Sequence, residues 1–262
     1  MESKINRYSK QLILINSFFI LAWLVVSVFP FIWTFWGSFK VKADFFSRAD
    51  WMFAVTGVNT LIETGDTSTV KAYVESWTEG EFWKATMNTV IITVSVVTIS
   101  LFLGTLGAYA LSRSTYKYTF WILIAALIFR AMPHITLVSG YLFPFFQLNV
   151  WGILPTTIIV LVAINQPFTL WLLYSFFKTV PKELDESALI DGCSYFQAFR
   201  FVIMPVMWPG VVTAGLFSMM LAYNDFTVTS LLLNQQNYTM VPKINAYLGT
   251  IEHSGNYMWA VS

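Results

Sequence analysis

The chain is a succession of apolar runs separated by short polar stretches. A helix that crosses a bilayer needs about 20 predominantly apolar residues. Five segments meet that length: 11–36, 86–112, 118–142, 156–177 and 203–233. The first is free of charge from Gln11 to Phe39 and the second from Ala85 to Ser112, whereas the third carries Arg130 and Pro133 and the fifth Asn224 and Asp225. All five are read as helices, because lipid offers backbone N–H and C=O groups no partner and a helix satisfies them internally. Between the third and fourth, "FPFFQLNVWGILP" is rich in Pro, Gly and Asn and reads as a turn. The basic opening "MESKINRYSK" precedes an apolar run longer than the ~7–15-residue core of a cleavable signal, so the first run reads as a retained span. The chain stops at "YMWAVS", where another apolar run could begin, and the expectation is that the natural chain continues into a sixth span.

Charge orients the spans. Lys4, Arg7 and Lys10 flank the first, Arg113 and Lys117 lie between the second and third, and Lys178, Lys182 and Arg200 lie between the fourth and fifth. Basic residues in short connections mark the cytoplasmic side. The expected N-terminus is therefore cytoplasmic, in a multi-pass protein of a bacterial-type inner membrane. The long segment 37–84, the turn near Leu148 and the loop 234–256 then share the opposite side.

Composition agrees with a membrane protein and excludes several activities. The 262 residues are 56% hydrophobic, 18% aromatic and 11% charged, against about a quarter charged in ordinary globular domains. A net charge of +1 gives no pull toward nucleic acid. One cysteine, Cys193, excludes an internal disulfide, and His134 and His253 are far apart in sequence, so no Cys/His metal cluster is expected. No phosphate-binding loop of the G-x-x-x-x-G-K-[ST] kind is present.

The exception to this apolar pattern is "PKELDESALIDGCSYFQAFRFVIMPVMWPG", Pro181–Gly210, which lies on the cytoplasmic side by the charge rule. Pro181 suits a first helical position. Glu183, Asp185 and Glu186 suit the first turns, where the helix dipole favours acids. Asp191-Gly192 breaks the helix, because glycine adopts left-handed or sharply turning backbone readily. Phe196 and Phe199 are three apart and share a face. The expected shape is helix, turn, helix along the membrane surface, within a cytoplasmic segment 179–200. A solvated loop with incidental charge is the competing reading.

The run E-S-A-L-I-D-G-C-S-Y-F-Q-A-F-R-F-V-I-M-P resembles the EAA motif of ABC importer permeases, E-A-A-x-x-D-G-A followed by F, I/V and P. Glu186, Ala188, Asp191, Gly192, Phe199, Val202 and Pro205 fall on motif positions, while Ser187 and Cys193 stand where the motif has alanines. "PFIWTFWGSFK" (Pro30–Lys40), "MNTVIITVSVVTISLFLGTLGAYALSR" (Met87–Arg113) and "AYNDF" (Ala222–Phe226) are similar to segments of maltose-transporter-type permeases of the carbohydrate uptake family, in order and spacing. The resemblance implies an all-α integral membrane protein with the six-span importer permease fold, its sixth span cut off here. It implies a non-enzymatic subunit of an ATP-driven, binding-protein-dependent importer for a sugar or sugar-like solute. The 181–200 helix would couple it to a separate ATPase, with Glu186, Ala188, Asp191, Gly192, Phe196 and Phe199 as coupling residues. The implied partners are a second permease forming a heterodimer, two ATPase subunits holding ATP and Mg, an extracytoplasmic solute-binding protein and the lipid bilayer. No cofactor is expected in this chain.

Ionisable and amide groups inside spans default to functional candidates. Arg130, Asn165, Gln166, Asn224 and Asp225 are the candidates for a translocation pathway. Snorkelling, pairing with a neighbouring chain and helix–helix hydrogen bonding are the alternatives. Pro167 frees a backbone carbonyl, and a kink there would present the adjacent amides to a lumen. In 234–256, Asn237, Tyr238 and Tyr247 are candidates for contact with the solute-binding protein, against a plain exposed hairpin. A secondary transporter driven by an ion gradient is the alternative function; it would need several buried acids or repeated broken helices, and Asp225 alone stands out.

Overall fold

A computed structural model describes residues 2–38 and 68–249 of the chain, and every described element is helical apart from turns and one isolated bridge. The chain forms two compact units, 1–81 with 244–262 and 82–243. The first unit contains α1 (Glu2–Gly37) and α2 (Ser68–Thr78), and its α1 has an apolar stretch, Leu12–Phe35, long enough to cross a membrane. Within this unit Ser38 hydrogen-bonds Tyr73, and the Tyr247 hydroxyl donates to the Gly80 carbonyl at 2.6 Å.

The second unit is a helical bundle. It comprises α3 (Phe82–Arg113), α4 (Thr119–Ala131), α5 (His134–Gln147), α6 (Leu154–Thr179), α7 (Glu183–Ile190), α8 (Met204–Tyr223), α9 (Thr227–Leu232) and the start of α10 (Met240–Gly249). The stretches Phe82–Arg113, Leu154–Thr179 and Tyr195–Tyr223 are each long and apolar enough to span a bilayer. With the first unit's Leu12–Phe35 that makes four spans among the described residues, or five if the bent pair α4–α5 is one span.

Small residues bring α3 and α6 together. Ser100, Gly104, Ala108 and Ser112 recur every fourth position on α3 and are all buried. A Cβ on Gly104 would sit 3.1 Å from both Leu173 Cδ1 and Thr169 Cγ2 of α6. Lipid is as apolar as leucine, so such close backbone approach is what holds spans together. Threonine and serine hydroxyls are satisfied locally: Thr89 donates to the Ala85 carbonyl and Thr98 to the Val94 carbonyl, each at 2.8 Å. Two apolar clusters result. The upper cluster, around Ile92, Val96, Leu161 and Leu232, lies toward the α6 N-terminus; the lower, around Leu173, Phe177, Ile203 and Met207, lies toward the α6 C-terminus.

Three boundaries differ from the sequence expectation. The third span, expected unbroken over 118–142, is cut at Met132-Pro133, and α4 and α5 meet at 84°. The residue before proline avoids helical backbone, and Met132 takes φ −68°, ψ 143°. The chain then stays helical to Gln147 through Pro144, so the expected turn is confined to 148–153, where Asn149 and Gly152 take positive φ. The fifth span, expected to run to residue 233, ends at Tyr223. There the Asp225 carboxylate accepts from the backbone N–H groups of Val228 (2.9 Å) and Thr229 (3.0 Å), which starts α9 instead. The sixth span and residues 250–256 of the last loop fall outside the described residues.

One end of the bundle is stitched by its turns. Gly152 N–H donates to the Leu232 carbonyl (2.9 Å), Trp151 Nε1 to the Leu231 carbonyl (3.0 Å), and Asn237 Nδ2 to the Gly152 carbonyl (2.7 Å). The turn near Leu148 and the start of the 234–256 loop thus share one end. The C-termini of α3 and α6, with α7, form the other.

Candidate functional site

Residues 181–203 form a helix–turn–helix whose turn is encoded residue by residue. The helix α7 starts at Glu183, with Lys182 rather than Pro181 at its N-cap and Glu183, Asp185 and Glu186 in its first turn. It ends in a Schellman motif: the Gly192 N–H donates to the Leu189 carbonyl (3.1 Å) and the Cys193 N–H to the Ala188 carbonyl (3.0 Å). The closure needs left-handed backbone at residue 192, and Gly192 has φ +87°. Ser194 then caps the next turn in a reciprocal box, its N–H donating to Gln197 Oε1 (2.8 Å) and its hydroxyl accepting from the Gln197 N–H (3.4 Å). Residues Ala198–Ile203 form a π-helical turn that leads into α8. Pro205 has no N–H for the carbonyl four residues back, so the regular helical ladder is interrupted where this turn ends.

The six expected coupling residues divide into two sets. Glu186, Asp191, Gly192 and Phe196 are exposed, together with Ile190 and Tyr195. Ala188 and Phe199 are buried, at 4% and 9% exposure. Phe199 packs on Tyr109 of α3, ring centroids 4.9 Å apart, inside the lower apolar cluster. Ala188 and Phe199 therefore attach the segment to the spans, and the exposed set forms its outer surface.

Asp185 is a residue at this site that the motif reading passed over. Its side chain is 13% exposed and its carboxylate is held from two directions. Arg113 Nη2 of α3 lies 2.8 Å from Oδ2, and the Tyr109 hydroxyl donates to Oδ1 at 2.5 Å. Arg113 Nη1 also donates to the Val180 carbonyl at 3.0 Å, at the end of α6. Nothing local in the sequence singles it out from Glu183 and Glu186 in the same turn, because its partners stand on α3.

Farther along the bundle, the α4–α5 break, α6, α8 and the start of α9 line an open pocket of about 490 Å³. Four of the five pathway candidates line it: Arg130, Asn165, Asn224 and Asp225. The fifth, Gln166, is turned toward α3, its Nε2 3.5 Å from the Ser100 carbonyl. His134, unassigned by sequence because it has no histidine or cysteine nearby in the chain, also lines the cavity, since the break at Pro133 starts α5 there. Phe168 and Phe217 form an apolar wall, edge to face at 5.9 Å, and the Arg130 guanidinium stands 5.0 Å from the Phe168 ring centroid. Arg130 makes no ion pair among the described residues, and the Asn165 Nδ2 is buried without a hydrogen-bond partner. The volume lies within the ~300–1,000 Å³ range of small-molecule sites. Among the described residues no group of three or more His, Cys, Asp or Glu could hold a metal ion.

Of the expected partner-facing residues of the last loop, Tyr247 is buried, whereas Asn237 and Tyr238 are partly exposed. Tyr247 is 6% exposed with its hydroxyl on Gly80, Tyr238 packs against the upper cluster, and the Asn237 amide is bonded to Gly152. Gln235, Gln236, Asn245 and Leu248 are the exposed residues among those described there.

Comparisons with known proteins agree with this geometry. The family described as the binding-protein-dependent transport system inner membrane component matches residues 100–261. The diacetylchitobiose uptake system permease protein NgcG of Streptomyces coelicolor is 28% identical over 250 residues, 91% of this chain and 75% of that protein. The trehalose/maltose transport system permease protein MalG of Thermococcus litoralis is 30% identical over 89% of this chain and 79% of its own length. A chain of a bacterial ABC transporter involved in the import of the acidic polysaccharide alginate has the same fold, with a TM-score of 0.73 at 19% identity, covering 95% of this chain and 89% of that one. The apolar spans, the helix–turn–helix at one end of the bundle and these likenesses lead to one assignment: the chain belongs to the inner membrane components of binding-protein-dependent transport systems, as a permease subunit.

Proposed function

We propose that this permease imports a carbohydrate and is driven by a separate ATPase that docks on residues 181–200. The observation that carries the docking is the outer surface of that segment. Ile190, Tyr195 and Phe196 are 86%, 74% and 63% exposed on a segment held in shape by two capping motifs. Large apolar side chains on a rigid polar support mark a protein interface. Glu183, Glu186 and Asp191, all exposed, surround them and suit a partner groove with basic or backbone donors.

The carbohydrate reading rests on the relatives that take up diacetylchitobiose and trehalose or maltose, and on the cavity. Arg130, His134, Asn165 and Asn224 offer hydrogen bonds to hydroxyls, and Phe168 and Phe217 offer faces to the apolar side of a sugar ring. The remaining parts of the assembly are a second, different permease, two ATPase subunits that hold ATP and Mg, and an external solute-binding protein. The 181–200 end and the N-terminus face the cytoplasm of a bacterial-type inner membrane, and the Gln235–Gln236 turn faces the binding protein. ATP drives the cycle only to the extent that the ATPases bind it more tightly with the permeases facing outward.

Gentle purification of the chain from native membranes, with the co-purifying proteins identified, tests this assembly. A second permease and an ATPase are the expected companions, and the cognate binding protein then reports the solute by ligand screening. A chain that purifies alone and catalyses gradient-driven uptake in liposomes would overturn the proposal.

A further inference from the structure

The coupling surface transmits motion only if it moves as one body with the spans that line the pocket. A helix of eight residues tethered by chain alone would rock on its flanking loops. The segment is fastened to the bundle by apolar packing and by one polar junction, and the two differ in kind. Packing of Phe199 on Tyr109 and of Leu184 and Val202 on the lower cluster resists separation but tolerates sliding. A mostly buried ion pair, flanked by directional hydrogen bonds from Tyr109 to Asp185 and from Arg113 to the Val180 carbonyl, sets position and angle.

That junction joins three elements through one guanidinium. Asp185 lies in the first turn of α7. Arg113, in the last turn of α3, reaches Asp185 with one guanidinium nitrogen (2.8 Å) and the Val180 carbonyl with the other (3.0 Å), the second also lying 3.4 Å from the Phe177 carbonyl of α6. Tyr109, one turn earlier on α3, donates to the second carboxylate oxygen (2.5 Å). The guanidinium fork thus ties the carbonyl ends of α6 and the start of α7 to α3. Side-chain exposures of 16% for Arg113 and 13% for Asp185 keep water from replacing these bonds.

We propose that Asp185, held by Arg113 and Tyr109, is the positioning residue that makes the coupling segment rigid with α3 and α6, so that movement of the docked ATPase reaches the cavity. This rests on the docking role proposed for residues 181–200. Asp185 faces inward and does not touch the ATPase; it acts through the angle at which Ile190 and Phe196 are presented. Lysine at 113 keeps the charge but loses the fork, so it cannot serve α6 and α7 together.

The test uses the complete transporter in liposomes, with Asp185→Asn, Asp185→Glu and Arg113→Lys variants compared at equal amounts of assembled complex. Solute transported per ATP hydrolysed is read alongside the stimulation of ATP hydrolysis by the loaded binding protein. Asp185→Asn and Arg113→Lys are expected to retain the ATPase on purification while solute per ATP falls by about tenfold or more, the factor that corresponds to one lost charge-assisted hydrogen bond. Asp185→Glu is expected to recover part of the ratio. Variants whose only defect is fewer assembled complexes, with normal solute per ATP in those that form, would overturn the positioning role. So would Asp185→Asn coupling as well as the parent chain. If the parent chain retains no ATPase, the docking reading falls and this inference with it.

Discussion

Gly192 offers the sharpest test of how the turn in 181–200 is made. A Cβ placed on it meets no atom within 4 Å, so within this chain a side chain has room. The cost of substitution is conformational, because φ is +87°. Left-handed backbone costs an L-residue roughly 1–2 kcal/mol, which lowers the population of the closed turn by a factor of about 5–30. Asparagine enters this region more readily than alanine, and β-branched residues least of all. The expected order of function is therefore Gly192, then Gly192→Asn, Gly192→Ala and Gly192→Val. A turn limited by crowding against a partner gives the opposite order for the middle pair, since alanine is smaller than asparagine. The assay is retention of the ATPase on gentle purification together with solute uptake per complex. Hydrogen exchange at the amides of 192 and 193, which close the Schellman motif, provides a local readout. Gly192→Ala outperforming Gly192→Asn would refute the conformational account.

Other perturbations have equally definite outcomes. Gly210→Ala would place a methyl 2.8 Å from Phe176 Cγ; overpacking of about 1–3 kcal/mol exceeds the ~1 kcal/mol gain in helix propensity, so the melting midpoint of the detergent-solubilised complex should fall. Asn165→Leu removes a donor from the cavity and leaves the coupling end untouched; uptake should drop about tenfold, as for one lost hydrogen bond, with the ATPase retained. The hydroxyl of Tyr247, outside the spans, is pushed up to about 12 by burial and by the nearby Glu81 carboxylate. Its raised value favours the neutral form in the folded state, so its contribution is complete below about pH 10 and is lost between about pH 10 and 12, as the unfolded tyrosine ionises first. Subtracting the tyrosinate titration of Tyr247→Phe from that of the parent chain should isolate a group titrating near the upper limit of that window.

The sequence determined the things that depend on local chemistry. Charge-free runs of sufficient length declared the helices at 86–112 and 156–177, because lipid leaves such runs no other backbone solution. The first-turn acids and the Asp191-Gly192 break declared the helix–turn–helix at 181–200, since each closing bond forms within six residues of chain. Motif positions in order identified the family. Tertiary structure decided what depends on neighbours distant in the chain. Pro133 was visible, yet only the 84° bend made it a corner of a cavity and brought His134 beside Arg130 and Asn165. Asp225 read as a residue inside a span, whereas its carboxylate ends α8 by capping α9. Tyr247 looked exposed because it stands in a polar loop, but the Gly80 carbonyl required a donor and took its hydroxyl inward, and the Asn237 amide, partly exposed, is tied to the Gly152 carbonyl. Asp185 looked like one acid among three in a first turn. It differs from Glu183 and Glu186 only because α3 delivers Arg113 and Tyr109 to its side of the helix, and a contact across 72 residues of chain has no local signature.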